Sequence, residues 1–156
     1  MEALAWLSTT PVAAALKASG TLYLVVNAAH ILSIGLVVGA ILPLDLRLVG
    51  LIRAAPIAAI GPLLSRTAAT GVVAALATGL CLFSVRPQEY AGNPAFLVKV
   101  ALVALGIVNA LVLHARGAWQ AAMATDSAPP ALRMQALLSM VIWVGVVLAG
   151  RWIAFI

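Results

Sequence analysis

The sequence predicts an all-α integral membrane protein: an up-down bundle of four transmembrane helices preceded by one interfacial helix. Three observations carry that expectation. Four long apolar runs fill most of the chain, charge is nearly absent inside them, and turn chemistry separates them. The runs are Thr21–Leu44, Pro62–Val85, Pro94–Ala115 and Met134–Ile156. Each matches the roughly 20 residues a helix needs to cross a hydrocarbon core about 30 Å thick. In lipid each run must satisfy its backbone polar groups within itself, so each must be helical.

Composition agrees. The chain has 156 residues, is 65% hydrophobic and only 8% charged. A soluble domain averages about 25% charged residues, so this sequence cannot build a water-facing surface. One membrane domain over residues 1–156 is expected. Net charge is +5, but the nine Lys and Arg are scattered over loops and helix ends. That pattern suits topology and lipid headgroups and excludes a nucleic-acid partner. The single Cys81 cannot form an internal disulfide and reads as a small packing residue.

Residues 1–20 are moderately apolar, with Trp6, Pro11 and Lys17, and read as a helix lying at the membrane surface. The first long run starts too late and is too long for a secretory signal, so no removable leader is expected. Loop one runs from Asp45 to Gly61, and Gly61-Pro62 suits a helix start. Loop two reads RPQEYAGN before Pro94, with Asn93 as N-cap. Loop three, Gly117–Arg133, breaks at TDSAPP. Loops one and three share a side holding Arg47, Arg53, Arg66, Arg116 and Arg133. The other side holds Lys17, Arg86, Lys99 and Arg151. This bias places loops one and three in the cytoplasm.

The helix faces supply candidate sites. At about 100° per residue, Asn27, His30, Ile34 and Asp45 share one sector of helix one, a polar seam. Gly35 and Gly39 lie on nearly the opposite sector and form a small-xxx-small pair for close helix approach. Helix two carries Thr67, Thr70, Thr78 and Cys81 in a stripe whose hydroxyls can bond carbonyls one turn back. Helix three places Gly106, Ala110 and His114 on one packing face, with Asn109 about 140° away. Arg151 either snorkels to headgroups or serves a cofactor acid group. Asp45 has Arg47 as its expected partner.

Intramembrane ionisable groups mark functional hypotheses. His30 is the leading candidate for a haem or metal ligand, with His114 and Arg151 as further cofactor-binding candidates. His30 and His114 differ in depth by roughly 15 Å, at about 1.5 Å rise per residue, so a haem clamped by both would need strong tilt. No nucleophile–base pair, phosphate loop or paired carboxylates is present, which disfavours enzyme catalysis.

The segments VNAAHILSIGLVVGAILPLDLRLVG, NPAFLVKVALVALGIVNALVLH and GRWIAFI resemble a family of small bacterial four-helix membrane proteins of unknown function. The resemblance spans nearly the whole chain. It implies a multi-pass protein of the bacterial inner membrane, with His30, Asp45, Arg47, Asn109, His114, Arg151 and Trp152 at characteristic positions. A looser likeness, through His30 and the following glycines, is to the copper-resistance D membrane family. The leading expectation is an accessory or assembly subunit that binds a membrane-protein partner, or a second copy, through small-residue helix faces. The alternatives are a b-type haem or copper protein using His30 and His114 for electron transfer or metal handling, and a small transporter.

Overall fold

A computed structural model describes residues 2–115 and 117–155. Arg116 and Ile156, named above, and Met1 lie outside the described residues. The described residues form eight α-helices and a closing 3-10 turn at Ile153–Phe155. The helices are α1 (Glu2–Leu7), α2 (Pro11–Ala18), α3 (Gly20–Val49), α4 (Ile57–Val85), α5 (Pro87–Gly92), α6 (Pro94–Ala115), α7 (Gly117–Thr125) and α8 (Pro130–Trp152). Four of them are long and apolar enough to cross a membrane: α3, α4, α6, and α8 with the turn that follows it. Within their most apolar windows only 11% to 28% of residues are buried. Side chains such as Leu32, Val73, Leu80 and Val141 therefore stand uncovered by the rest of the chain.

Two of these helices are longer than hydropathy alone predicts, and a third is shifted toward its N-terminus. α3 continues past Leu44 to Val49, carrying Asp45 and Arg47 inside the helix rather than in loop one. Helix formation depends on backbone bonding and packing, not on hydropathy, and the last turns bury Leu44 and Leu48. The helix stops at Gly50, which takes φ 93 and donates its N–H to the Arg47 and Leu46 carbonyls. That left-handed stop suits glycine. α4 starts at Ile57, so Pro62 lies inside it rather than opening it. α8 starts at Pro130, four residues before the apolar run.

The loops also hold structure. RPQEYAGN contains α5, and loop three contains α7. Asn93 caps α6 as its position implies, accepting the Phe96 N–H at 3.1 Å. The N-terminal segment is two helices rather than one. α2 is capped by Thr10 and buries Ala13 and Leu16, packing on α3 and α4.

α3 packs on α4 and α8, and α6 packs on α8. Two apolar clusters result. One gathers Leu48, Ile57, Trp119 and Leu132 near the loop-one end. The other gathers Val37, Ile41, Trp143 and Val146 midway along the long helices. Close approach occurs at Gly71, where an added Cβ would meet Val37 of α3 at 2.9 Å. At Gly106 it would meet Trp143 of α8, also at 2.9 Å. Gly106 thus lies against α8. Gly35 and Gly39 are exposed, and among the described residues of this chain nothing lies within 4 Å of an added Cβ at either. The inner face of α3 is instead Ser33, Val37, Ala40, Ile41, Leu44 and Leu48. Its larger side chains interlock, whereas the glycine pair faces outward.

Candidate functional site

Three polar stations interrupt the apolar interior. The first centres on His30. Its Nδ1 lies 2.9 Å from Thr78 Oγ1 on α4. The Thr78 hydroxyl in turn lies 2.7 Å from the Ala74 carbonyl, which can only accept. The hydroxyl proton therefore goes to Ala74, and His30 Nδ1–H donates to Thr78. That fixes the tautomer and leaves Nε2 as an unprotonated lone pair. Gly79 makes room for the ring, since an added Cβ would sit 3.1 Å from His30 Cε1. Lys99 of α6 is the charged neighbour of His30. Its stem runs past Gly150 of α8, with Nζ 3.5 Å from the place of an added Cβ. Among the described residues no carboxylate pairs with Lys99.

The second station lies at the other end of α3. Arg47 is buried, its Nε donating to the Ala55 carbonyl and its Nη2 to Asp126 Oδ1, each at 2.7 Å. The same Oδ1 accepts the Ile57 N–H at 2.7 Å, satisfying one open donor at the start of α4. Asp126 holds this position with φ 55, in the left-handed region. The expected Asp45–Arg47 pair does not form. Residues two apart on a helix point to different sides, so Arg47 finds Asp126 instead. Asp45 is 3% exposed and has Ser139 of α8 as its hydrogen-bonding neighbour. Among the described residues its Oδ2 has no hydrogen-bond partner.

The third station is His114. Nδ1 bonds the Ala110 carbonyl at 2.8 Å, and Nε2 lies 3.1 Å from Ser65 Oγ of α4. A carbonyl only accepts, so Nδ1 carries the proton and Nε2 accepts from Ser65. Trp119 covers the ring at 4.8 Å between centroids. Although the residue is exposed, both of its ring nitrogens are used.

The structure separates most of the sequence candidates. Asn27 is exposed, and Arg151 is exposed with its guanidinium over the Phe155 ring at 5.1 Å. Asn109 donates to the Gln135 carbonyl at 3.2 Å, tying α6 to α8. Thr70 and Thr78 bond back to Arg66 and Ala74, as the threonine stripe implies. Among the described residues no three His, Cys, Asp or Glu converge as a metal cage. Sequence reading missed two participants, Lys99 and Asp126. Lys99 is the one charge inside the third apolar run, and that was the available signal. Asp126 carries no signal beyond its place in a turn.

These features define a small helical protein with four helices apolar enough for a membrane and isolated polar stations among them. The chain belongs to the family described as "Family of unknown function (DUF6644)", which matches residues 3–156. No curated protein and no solved structure matches it. The looser likeness to the copper-resistance D family is not shown by these comparisons.

Proposed function

We propose that this chain is a multi-pass inner-membrane protein, an up-down bundle with α1 and α2 at the interface, that holds a b-type haem on His30. One observation carries the reading: the Thr78 contact, with the Ala75 carbonyl beside the ring, puts the proton on His30 Nδ1 and leaves Nε2 as the nitrogen with a lone pair to offer. Ligating histidines are characteristically oriented in this way, through a hydrogen bond on the other ring nitrogen. Copper held by protein side chains alone would need several converging ligands. A porphyrin brings four nitrogens of its own and needs only axial ligands from protein. Lys99 adds a cation without a carboxylate partner, which suits a propionate. His114 uses both nitrogens on Ala110 and Ser65, so it is the weaker ligand candidate.

The test is an optical spectrum of protein purified in detergent, before and after haem addition. A Soret band that His30→Leu abolishes and His114→Leu retains supports the reading. No band in the reconstituted wild type overturns it.

A second reading rests on a different observation. The outward pair Gly35 and Gly39 is exposed with open space above it. Small residues let helix backbones approach closely, so this face suits a partner helix of an accessory or assembly subunit. Oligomeric state or partner capture by the Gly35→Leu/Gly39→Leu variant tests it, and unchanged assembly removes it.

A further inference from the structure

A cavity of about 330 Å³ opens where the end of α3 meets the α7–α8 connection. Its walls include Arg47, Arg53, Arg133, Asp126 and Ser127. Three guanidinium groups thus face one carboxylate, an excess of two positive charges. That carboxylate is already engaged by Arg47 and by the Ile57 N–H. Two of the three arginines are anchored to backbone. Arg47 Nε is fixed by the Ala55 carbonyl and Arg133 Nε by the Ala128 carbonyl. Each guanidinium has five N–H donors, so these bonds leave Arg47 Nη1 and both terminal nitrogens of Arg133 unused. Arg53 is exposed beside them.

Planar guanidinium forks match phosphate oxygens in geometry as well as in charge. Depth agrees. α3 has 30 residues, about 45 Å of helix at about 1.5 Å per residue, against a hydrocarbon core of about 30 Å. Its last turn, with Arg47, therefore reaches the level of headgroup phosphates. We propose that this cavity binds a phosphate group through Arg47, Arg53 and Arg133. Two sources share that chemistry: the headgroup of an anionic lipid, and free phosphate.

The experiment uses the full chain. Inorganic phosphate is titrated against protein in a neutral detergent. In a parallel arm, protein is exposed to phosphatidylcholine bilayers with and without phosphatidylglycerol, and co-purifying lipid is read by native mass spectrometry. Binding in either arm supports the proposal. Phosphatidylglycerol retention alone assigns the headgroup, and phosphate binding alone assigns the free ion. Arg53→Gln/Arg133→Gln should weaken the active arm by roughly tenfold or more, the loss expected for two charge-assisted donor groups. Arg53→Gln alone removes no hydrogen bond that holds the fold, and it should weaken binding severalfold while leaving the melting temperature unchanged. The control Arg66→Gln/Arg151→Gln removes the same charge elsewhere and should bind as wild type. No binding in either arm, wild-type binding by the double variant, or an equal loss in the control overturns the proposal.

Discussion

Arg47 Nη2 stands 2.7 Å from Asp126 Oδ1, joining the end of α3 to the turn before α8. The two side chains differ in exposure, 8% for Arg47 and 50% for Asp126. The buried partner is the one that loses most if the pair is broken. Asp126→Ala leaves Arg47 without its carboxylate and Ile57 without its cap. After allowance for solvent at the half-exposed Asp126, a loss of about 1–3 kcal/mol is expected. Thermal unfolding in detergent checks it, and an unchanged melting temperature would refute the pair's importance.

Thr78→Val keeps the shape of the side chain and removes the acceptor for His30 Nδ1–H. The imidazole loses its tether and its fixed tautomer. We expect about 1 kcal/mol of destabilisation, the loss of one hydrogen bond at a half-buried ring that keeps the Ala75 carbonyl as a neighbour. In haem-loaded protein we expect a weaker or shifted Soret band. A variant with wild-type stability and spectrum would show that Thr78 does not orient His30.

The glycines offer a paired test. Gly71→Ala drives a Cβ to 2.9 Å from a Val37 methyl and 3.0 Å from the Val37 backbone nitrogen. Backbone cannot swing aside as a side chain can, so a loss of about 1–3 kcal/mol is expected. Gly35→Ala and Gly39→Ala meet open space and should be neutral or slightly stabilising in the isolated chain, by a few tenths to about 1 kcal/mol. Equal losses at all three positions would contradict the packing described above.

Much of the fold was legible because lipid imposes a simple code: long apolar runs must be helices. The α6 start was readable down to the Asn93 cap, since capping is local chemistry. The ends of α3, α4 and α8 were not, because hydropathy marks apolar surface and these helices continue beyond it. What a glycine face meets was not legible for a related reason. A small-xxx-small spacing is the same whether it meets a neighbour or lipid. Only tertiary packing distinguishes Gly71, against Val37, from Gly39, against nothing. At the candidate site, His30 and the threonine stripe were each visible, but their junction at Thr78 joins positions 48 apart in sequence.

Asp45 supplies the last test. Its Oδ2 is buried without a partner among the described residues. An isolated buried charge is unfavourable, so Asp45→Asn should preserve or raise stability, by up to about 1–3 kcal/mol. Ser139→Ala removes the neighbour the carboxylate does have and should lower stability by about 1 kcal/mol. A clear loss in Asp45→Asn, measured in the same unfolding assay, would show that the carboxyl group makes a stabilising contact that an amide does not replace.

The Arg47–Asp126 contact also sets an order of events during synthesis. Asp126 follows Arg47 by 79 positions. At about 5–20 residues per second, the ribosome delivers it on the order of ten seconds later. Through that interval α3 and α4 can pair, but the guanidinium has no carboxylate and the first turn of α4 has no cap. The end of α3 must therefore wait with its guanidinium unmatched until the turn before α8 emerges. A nascent chain halted before Asp126 should leave Arg47 reachable by water-soluble reagents, and one halted after α8 should shield it.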